Sequence, residues 1–167
     1  MSLRAVLQWP DARLQQVCAP VDQITSEIRT LASDMLETMY AAPGRGLAAP
    51  QVGVLLRLFV MDVTWKEGTP APMIFVNPVV SEASDTHAEG DEVCLSIPGV
   101  TSTVPRPDRV RLRWSDLDGV AHDRWFDGPA ARCAQHELDH LNGVVTLDHL
   151  PPADRTRVLA NYAPHPA

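Results

Sequence analysis

A chain of 167 residues that is 45% hydrophobic and 21% charged is long enough to bury a core and too apolar to remain disordered. Its most apolar stretch, 52–63, is broken by Arg57 and Asp62, well short of the roughly 18 uninterrupted apolar residues of a membrane span. A net charge of −7 argues against nucleic acid as a partner unless the 14 basic residues gather on one face. The opening ten residues lack an apolar run followed by a small-residue cleavage site, so a cytoplasmic protein is expected. Three widely spaced cysteines, Cys18, Cys94 and Cys133, do not form a disulfide framework, which leaves buried, metal-bound or reactive thiols. No internal repeat or low-complexity tract divides the chain, so a single domain over 1–167 is expected, its tail fraying from about 161.

The spacing of Ile28, Leu31, Ala32, Met35, Leu36, Met39 and Tyr40 predicts a helix over 26–42, with Thr25 or Ser26 as N-cap and Pro43-Gly44 as the stop. Segments 57–63 and 73–80 read as strands. In 110–114, Val-Arg-Leu-Arg-Trp alternates strictly and marks a half-buried strand, and Asp118-Gly119 turns the chain into a hairpin partner over 120–126. A second helix is expected from Asp127 as N-cap, with Pro129 in its first turn, to Asn142, and Gly143 supplies a left-handed cap. A short helix is possible over 154–160. Strands and helices without a βαβ rhythm predict an α+β fold with antiparallel sheet, packed around the second helix.

That second helix contains His136-Glu137-Leu138-Asp139-His140, an HExxH motif. Residues four apart lie about 40° apart around a helix, so both imidazoles can reach one ion, while Glu137 projects about 100° away toward a water on that ion. Two histidines in an ordinary helix is the plainer reading, but three specified residues within five positions outweigh it. A catalytic site takes three protein ligands and keeps the fourth position open. The metzincin continuation fails because Thr146 stands where its third histidine belongs, and 141–167 holds no glutamate for a thermolysin-like site. The third ligand is therefore expected upstream, and Cys94, in Glu-Val-Cys-Leu-Ser-Ile-Pro-Gly over 92–99, is the best candidate because thiolate suits soft or borderline metals. Cys18 and Cys133 are expected to be ordinary apolar thiols. Segment 44–51, Gly-Arg-Gly-Leu-Ala-Ala-Pro-Gln, is rich in small residues that admit close backbone approach, yet by itself reads equally as a plain loop.

Taken together these segments resemble the three ordered motifs of the peptide deformylases, GxGLAAPQ, EGCLS and QHExDHLxG, standing here at 44–51, 92–96 and 135–143. The resemblance extends to 6–14, to Met39-Tyr40 and to Asn77-Pro78, and so covers most of the chain. It implies removal of the N-formyl group from nascent polypeptides by a metal-bound water. It implies Cys94, His136 and His140 as ligands of one divalent ion, Fe²⁺ in the first place with Zn²⁺ or Ni²⁺ able to replace it. Glu137 would carry the proton to the leaving amine. The Gln51 side chain and the Leu95 N–H would hold the oxyanion, and the extended substrate would pair with backbone at Gly46. Glu92 would pair with Arg106, either to fix the Cys94 loop or as a solvated pair.

Two residues depart from the family pattern: Val93 replaces a glycine beside the cysteine, and Arg45 occupies a position that is often apolar. Both are expected near the substrate methionine, where a β-branched side chain would narrow the pocket; the alternative is that Val93 points away from it and stiffens the loop carrying Cys94. A related N-acyl substrate, or a non-catalytic metal-stabilised binding protein, are the competing readings, and Glu137 speaks against the second because a structural site needs no acid or base. The family's C-terminal helix can dock on the ribosome; here the chain ends soon after Arg155 and Arg157, which argues against that contact.

Overall fold

The computed structural model describes residues 2–164. Helix α1 (Ser26–Ala41) leads into β1 (Gly46–Ala48), a 3-10 turn over Ala49–Val52, and β2 (Leu58–Met61). Then follow β3 (Met73–Ala83), β4 (His87–Cys94), β5 (Ile97–Pro107), β6 (Arg109–Ser115), β7 (Ala121–Asp127), α2 (Gly128–Leu141) and α3 (Pro152–Leu159). Every strand pair is antiparallel, with β1-β2-β3-β6-β7 forming one sheet and β4-β5 a separate two-stranded one, the α+β architecture expected. No helix among the described residues is long and apolar enough to cross a membrane.

The large sheet is covered on both faces, which is why β2 is buried throughout. Its alternate residues divide between two cores: Leu58 and Val60 join Ile28, Leu31, Met35 and Met39 of α1, while Phe59 and Met61 join Leu138 and Leu141 of α2. On the α2 side Phe75 stacks on Phe59 with centroids 4.4 Å apart and meets Trp114 at 4.6 Å. Burial of each such ring stabilises the fold by about 1.5–3 kcal/mol. A third core, of Leu14, Cys94, Ile97, Val145 and Leu147, fastens the β4–β5 hairpin to the chain after α2.

Helix α1 starts where Thr25 Oγ1 accepts the Ile28 N–H, and α2 ends as expected at Asn142 with Gly143 at φ 74. Gly143 is doubly constrained, since a Cβ there would lie 2.6 Å from the Gln15 carbonyl oxygen. Asn77, at φ 51, sits where the β3–β6 register breaks, and its side chain exchanges two 2.8 Å hydrogen bonds with the backbone of Val21. Helix α3 begins two residues before the expected 154. Beyond it Tyr162 packs edge-on against Trp9 and donates to the Trp9 carbonyl at 2.7 Å, so the chain is tied down there, and the last part of the expected frayed tail, 165–167, lies outside the described residues.

Candidate metal centre

Two elements meet at one buried point. Helix α2 contributes His136 and His140, one turn apart, and the C-terminal end of β4 contributes Cys94. Among the described residues these three form the group suited to a metal ion, one donor atom from each lying within 4.8 Å of the others. Cys94 Sγ stands 3.4 Å from His140 Nε2, close to the roughly 3.5 Å that two corners of a tetrahedral centre with Zn–S and Zn–N bond lengths require. His136 turns Nδ1 to Glu92 Oε1 at 2.9 Å, which leaves Nε2 for the centre. Burial disfavours the His136 imidazolium, yet Cys94 and Glu92 more than offset this and hold its pKa well above the ordinary value. Burial and the neighbouring His136 push His140 well below it, and its Nδ1 is buried without a partner. A thiol and two imidazoles whose donor atoms converge at a buried point fit a divalent cation.

Glu137, on the adjoining face of α2, is 3% exposed; its Oε1 lies 3.9 Å from His136 Nε2 and its Oε2 has no hydrogen-bond partner. Burial raises its pKa to about 7 against the downward pull of His136. Glu92 is the opposite case. Arg106 grips it with Nε on Oε2 at 2.6 Å and Nη2 on Oε1 at 2.9 Å, and Arg132 Nη1 adds a third guanidinium contact at 2.7 Å. Burial opposes the charge, but Arg106 and His136 override it and hold the carboxyl far below its usual range. The pair expected between Glu92 and Arg106 is thus the buried, loop-fixing one; Arg106 continues to Asp139 at 2.9 Å, and Asp139 to His149 at 2.7 Å.

The 3-10 turn after β1 places Gln51, 1% exposed, with Oε1 on the Ala48 N–H at 2.9 Å and Nε2 on Ser96 Oγ at 3.1 Å and Cys94 Sγ at 3.7 Å. Leu95 and Ser96 make the two-residue turn joining β4 to β5, and Leu95 seats its side chain over Gly44, where a Cβ would come within 2.8 Å of Leu95 Cδ1. Gly46 lies against Cys133 and Glu137: a Cβ there would meet Cys133 Sγ at 2.7 Å and Glu137 Oε1 at 2.8 Å. The segment that reads as a plain loop is therefore a short edge strand. Asp62 N–H bonds the Arg45 carbonyl, so the antiparallel alternation spends Arg45 and Leu47 on β2 and turns the N–H and C=O of Gly46 outward.

Two candidate residues stand elsewhere. Val93 is 73% exposed, on the face of β4 opposite Glu92 and Cys94, so its side chain is turned away from the ligating atoms. Arg45 reaches outward to an ion pair with Glu67 at 2.8 Å, both ends largely exposed. Cys133 donates to the Arg45 carbonyl at 3.7 Å and is not one of the three converging donors; burial and Glu137 raise its pKa well above the ordinary thiol value. Sequence reasoning missed Arg132, Asp139 and Glu67. Arg132 carried a usable signal, for it falls four residues before His136 and eight before His140, on the same stripe of the helix.

The family model for polypeptide deformylase matches residues 3–156. A peptide deformylase from Afipia carboxidovorans is 49% identical over 162 residues, covering 97% of this chain and 95% of that protein, and one from Bradyrhizobium diazoefficiens is 46% identical at the same coverages. Among solved structures, the Legionella pneumophila peptide deformylase superposes with a TM-score of 0.90 at 38% identity, over 95% of this chain and 92% of that one. The Synechococcus elongatus enzyme in complex with actinonin gives 0.89 at 37%, over 93% and 85%. On sequence and fold alike, the chain belongs to the peptide deformylase family.

Proposed function

We propose that this chain removes the N-formyl group from nascent polypeptides that begin with formylmethionine, in the cytoplasm, using one divalent ion held by Cys94, His136 and His140. The observation that carries this reading is the convergence of those three donors with a buried carboxyl beside them, Glu137, whose Oε2 has no hydrogen-bond partner. When bound, the ion supplies Lewis acidity and an activated water. Fe²⁺ is proposed as the resident ion, with Zn²⁺ and Ni²⁺ able to take the same donors.

The residues do the rest. Glu137, poised near 7 and free of hydrogen bonds at Oε2, takes a proton and returns it to the leaving amine. The Gln51 amide, whose donors already lie beside Cys94, and the Leu95 N–H in the adjoining turn face the developing oxyanion. The substrate backbone adds a strand at the outward edge of Gly46.

The test is a metal assay combined with turnover of formyl-Met and acetyl-Met peptides. Cys94→Ala is expected to lose the ion. Glu137→Ala is expected to keep it and lose about 10²- to 10⁴-fold in kcat. Near wild-type turnover in Glu137→Ala, unchanged metal in Cys94→Ala, or equal use of the acetyl peptide would each overturn the reading. Fe²⁺ protein is expected to exceed Zn²⁺ protein in rate and to decay in air; equal, air-stable rates would remove iron from the proposal.

A further inference from the structure

Arg132 is a long cation on the helical stripe that also carries His136 and His140, a stripe otherwise turned to the interior. Its guanidinium finds three acceptors, all on the β4–β5 hairpin: Nη1 reaches Glu92 Oε2 at 2.7 Å and the Val104 carbonyl at 2.8 Å, and Nη2 reaches the Ala88 carbonyl at 2.8 Å. Room for it comes from Gly90, where a Cβ would stand 2.7 Å from both Cζ and Nε of Arg132. The hairpin brings Cys94 and the helix brings His136, so whatever fixes hairpin to helix sets the distance between two of the three ligating atoms. Arg106 already neutralises Glu92 through a bidentate pair, so charge balance alone does not require a second arginine on that carboxylate.

We propose that Arg132 is a positioning residue of the metal centre: it locks the hairpin onto α2 and occupies the remaining acceptor site of Glu92 Oε2, so that Oε1 stays on His136 Nδ1 and Cys94 stays within ligating distance. This rests on the reading of Cys94, His136 and His140 as the ligands. The alternative effect has the opposite sign. Removing a cation near a dication site favours the ion electrostatically, whereas loosening the donors releases it. A role in fold stability alone lowers the melting temperature and leaves ion release unchanged.

The experiment measures the rate at which Zn²⁺ passes from the loaded full-length protein to a chromogenic chelator, with the melting temperature of the metal-free protein as control. Arg132→Ala is expected to release Zn²⁺ about 10- to 100-fold faster, the usual range for loss of a group that orients a ligand. Arg132→Lys keeps the charge but cannot span three acceptors, and Gly90→Ala keeps the arginine but displaces it; both are expected to release the ion faster as well. Gly90→Ala should add nothing in the Arg132→Ala background. On a formyl-Met peptide, kcat should fall in these variants with KM within about twofold of wild type, because no substrate contact is removed. Slower release from Arg132→Ala, or wild-type release from Arg132→Lys and Gly90→Ala, overturns the proposal. Wild-type protein that neither holds Zn²⁺ nor turns over the peptide overturns instead the metal reading beneath it.

Discussion

Gly46→Ala tests the site at the point where strand, helix and carboxylate meet. The new Cβ would lie 2.7 Å from Cys133 Sγ and 2.8 Å from Glu137 Oε1, and ordinary contact begins at 3.4 Å, so each neighbour must yield by about 0.6 Å. The partly exposed Cys133 can rotate aside. Glu137, 3% exposed and wedged beside His136, can yield only by leaving the position from which it serves the reaction. A misplacement of 1 Å costs on the order of 10²-fold, so a shift of this size should lower kcat about 10- to 100-fold, or about 1.4–2.7 kcal/mol in the barrier. Alanine keeps the N–H and C=O that point outward at position 46, so KM should stay within about threefold. The metal ligands are untouched, so metal content should be unchanged, while overpacking should lower stability by about 1–3 kcal/mol. Steady-state kinetics on a formyl-Met peptide, metal analysis and urea denaturation together decide the matter. Adding Cys133→Ala removes one of the two clashes and should recover part of the loss. Wild-type kcat in Gly46→Ala, or loss of metal ahead of loss of turnover, would refute the reasoning.

Val93→Gly is expected to leave the ratio of kcat/KM for formyl-Met over formyl-Ala peptides unchanged within about twofold, because this exposed side chain faces away from the ligating atoms; a clear gain for formyl-Met would restore the narrowed pocket. Tyr40 donates to the buried Asp62 carboxylate at 2.6 Å, and burial, then Asp62 itself, push its pKa up to about 12. Between pH 10 and 12 the unfolded chain has lost a phenolic proton that the folded chain keeps, so stability falls as pH rises through that window, while below it the contribution of this group is fully present and does not vary with pH. Tyr40→Phe should therefore flatten the alkaline decline in urea midpoint while costing about 1 kcal/mol at neutral pH for the lost hydrogen bond; identical slopes for the two proteins would contradict this.

How far the sequence discloses this arrangement depends on which residues face inward. Helix α1 announces itself by apolar residues at helical period and β6 by strict alternation, while β2 and β3 show as apolar runs, β7 through the Asp118-Gly119 turn before it and α2 through its end signals. The β4–β5 hairpin, which carries Cys94, escapes such a reading. Its inward residues include Glu92, Ser102 and Arg106, and prolines 98, 105 and 107 make β5 look like a loop. Strand β1 is three residues long and cannot show a period. At the centre itself, HExxH declares its geometry because i and i+4 are local, and the elimination of later ligands points back to Cys94. The partners of that centre are not local: Arg132 meets Glu92 across 40 positions and Arg45 meets Glu67 across 22, and neither pairing has a spacing rule from which it could be read. Val93 shows the converse, since the sequence places it next to a ligand while strand alternation turns its side chain to the opposite face.

The two glutamates of the site divide the work that the fold must do. Glu92 is buried at 5% exposure with donors from Arg106, Arg132 and His136 on its two oxygens, a fully satisfied anion whose protonation the surroundings forbid. Such a group cannot exchange a proton near neutral pH, and it can hold an imidazole in one tautomer. Glu137 is buried as deeply and left without a partner on Oε2, an arrangement that costs on the order of 1–3 kcal/mol wherever it occurs. What that cost secures is a carboxyl poised near 7, able to hold or release a proton as the proposed hydrolysis demands. Similar burial with opposite hydrogen bonding pushes the two pKa values apart: guanidinium groups and His136 hold Glu92 down, while burial, with the charge of Glu92 nearby, raises Glu137. A missing side chain shapes both sites: at Gly90 it admits Arg132 to Glu92, and at Gly46 it leaves the Glu137 carboxyl room, since a Cβ there would stand 2.8 Å from Oε1.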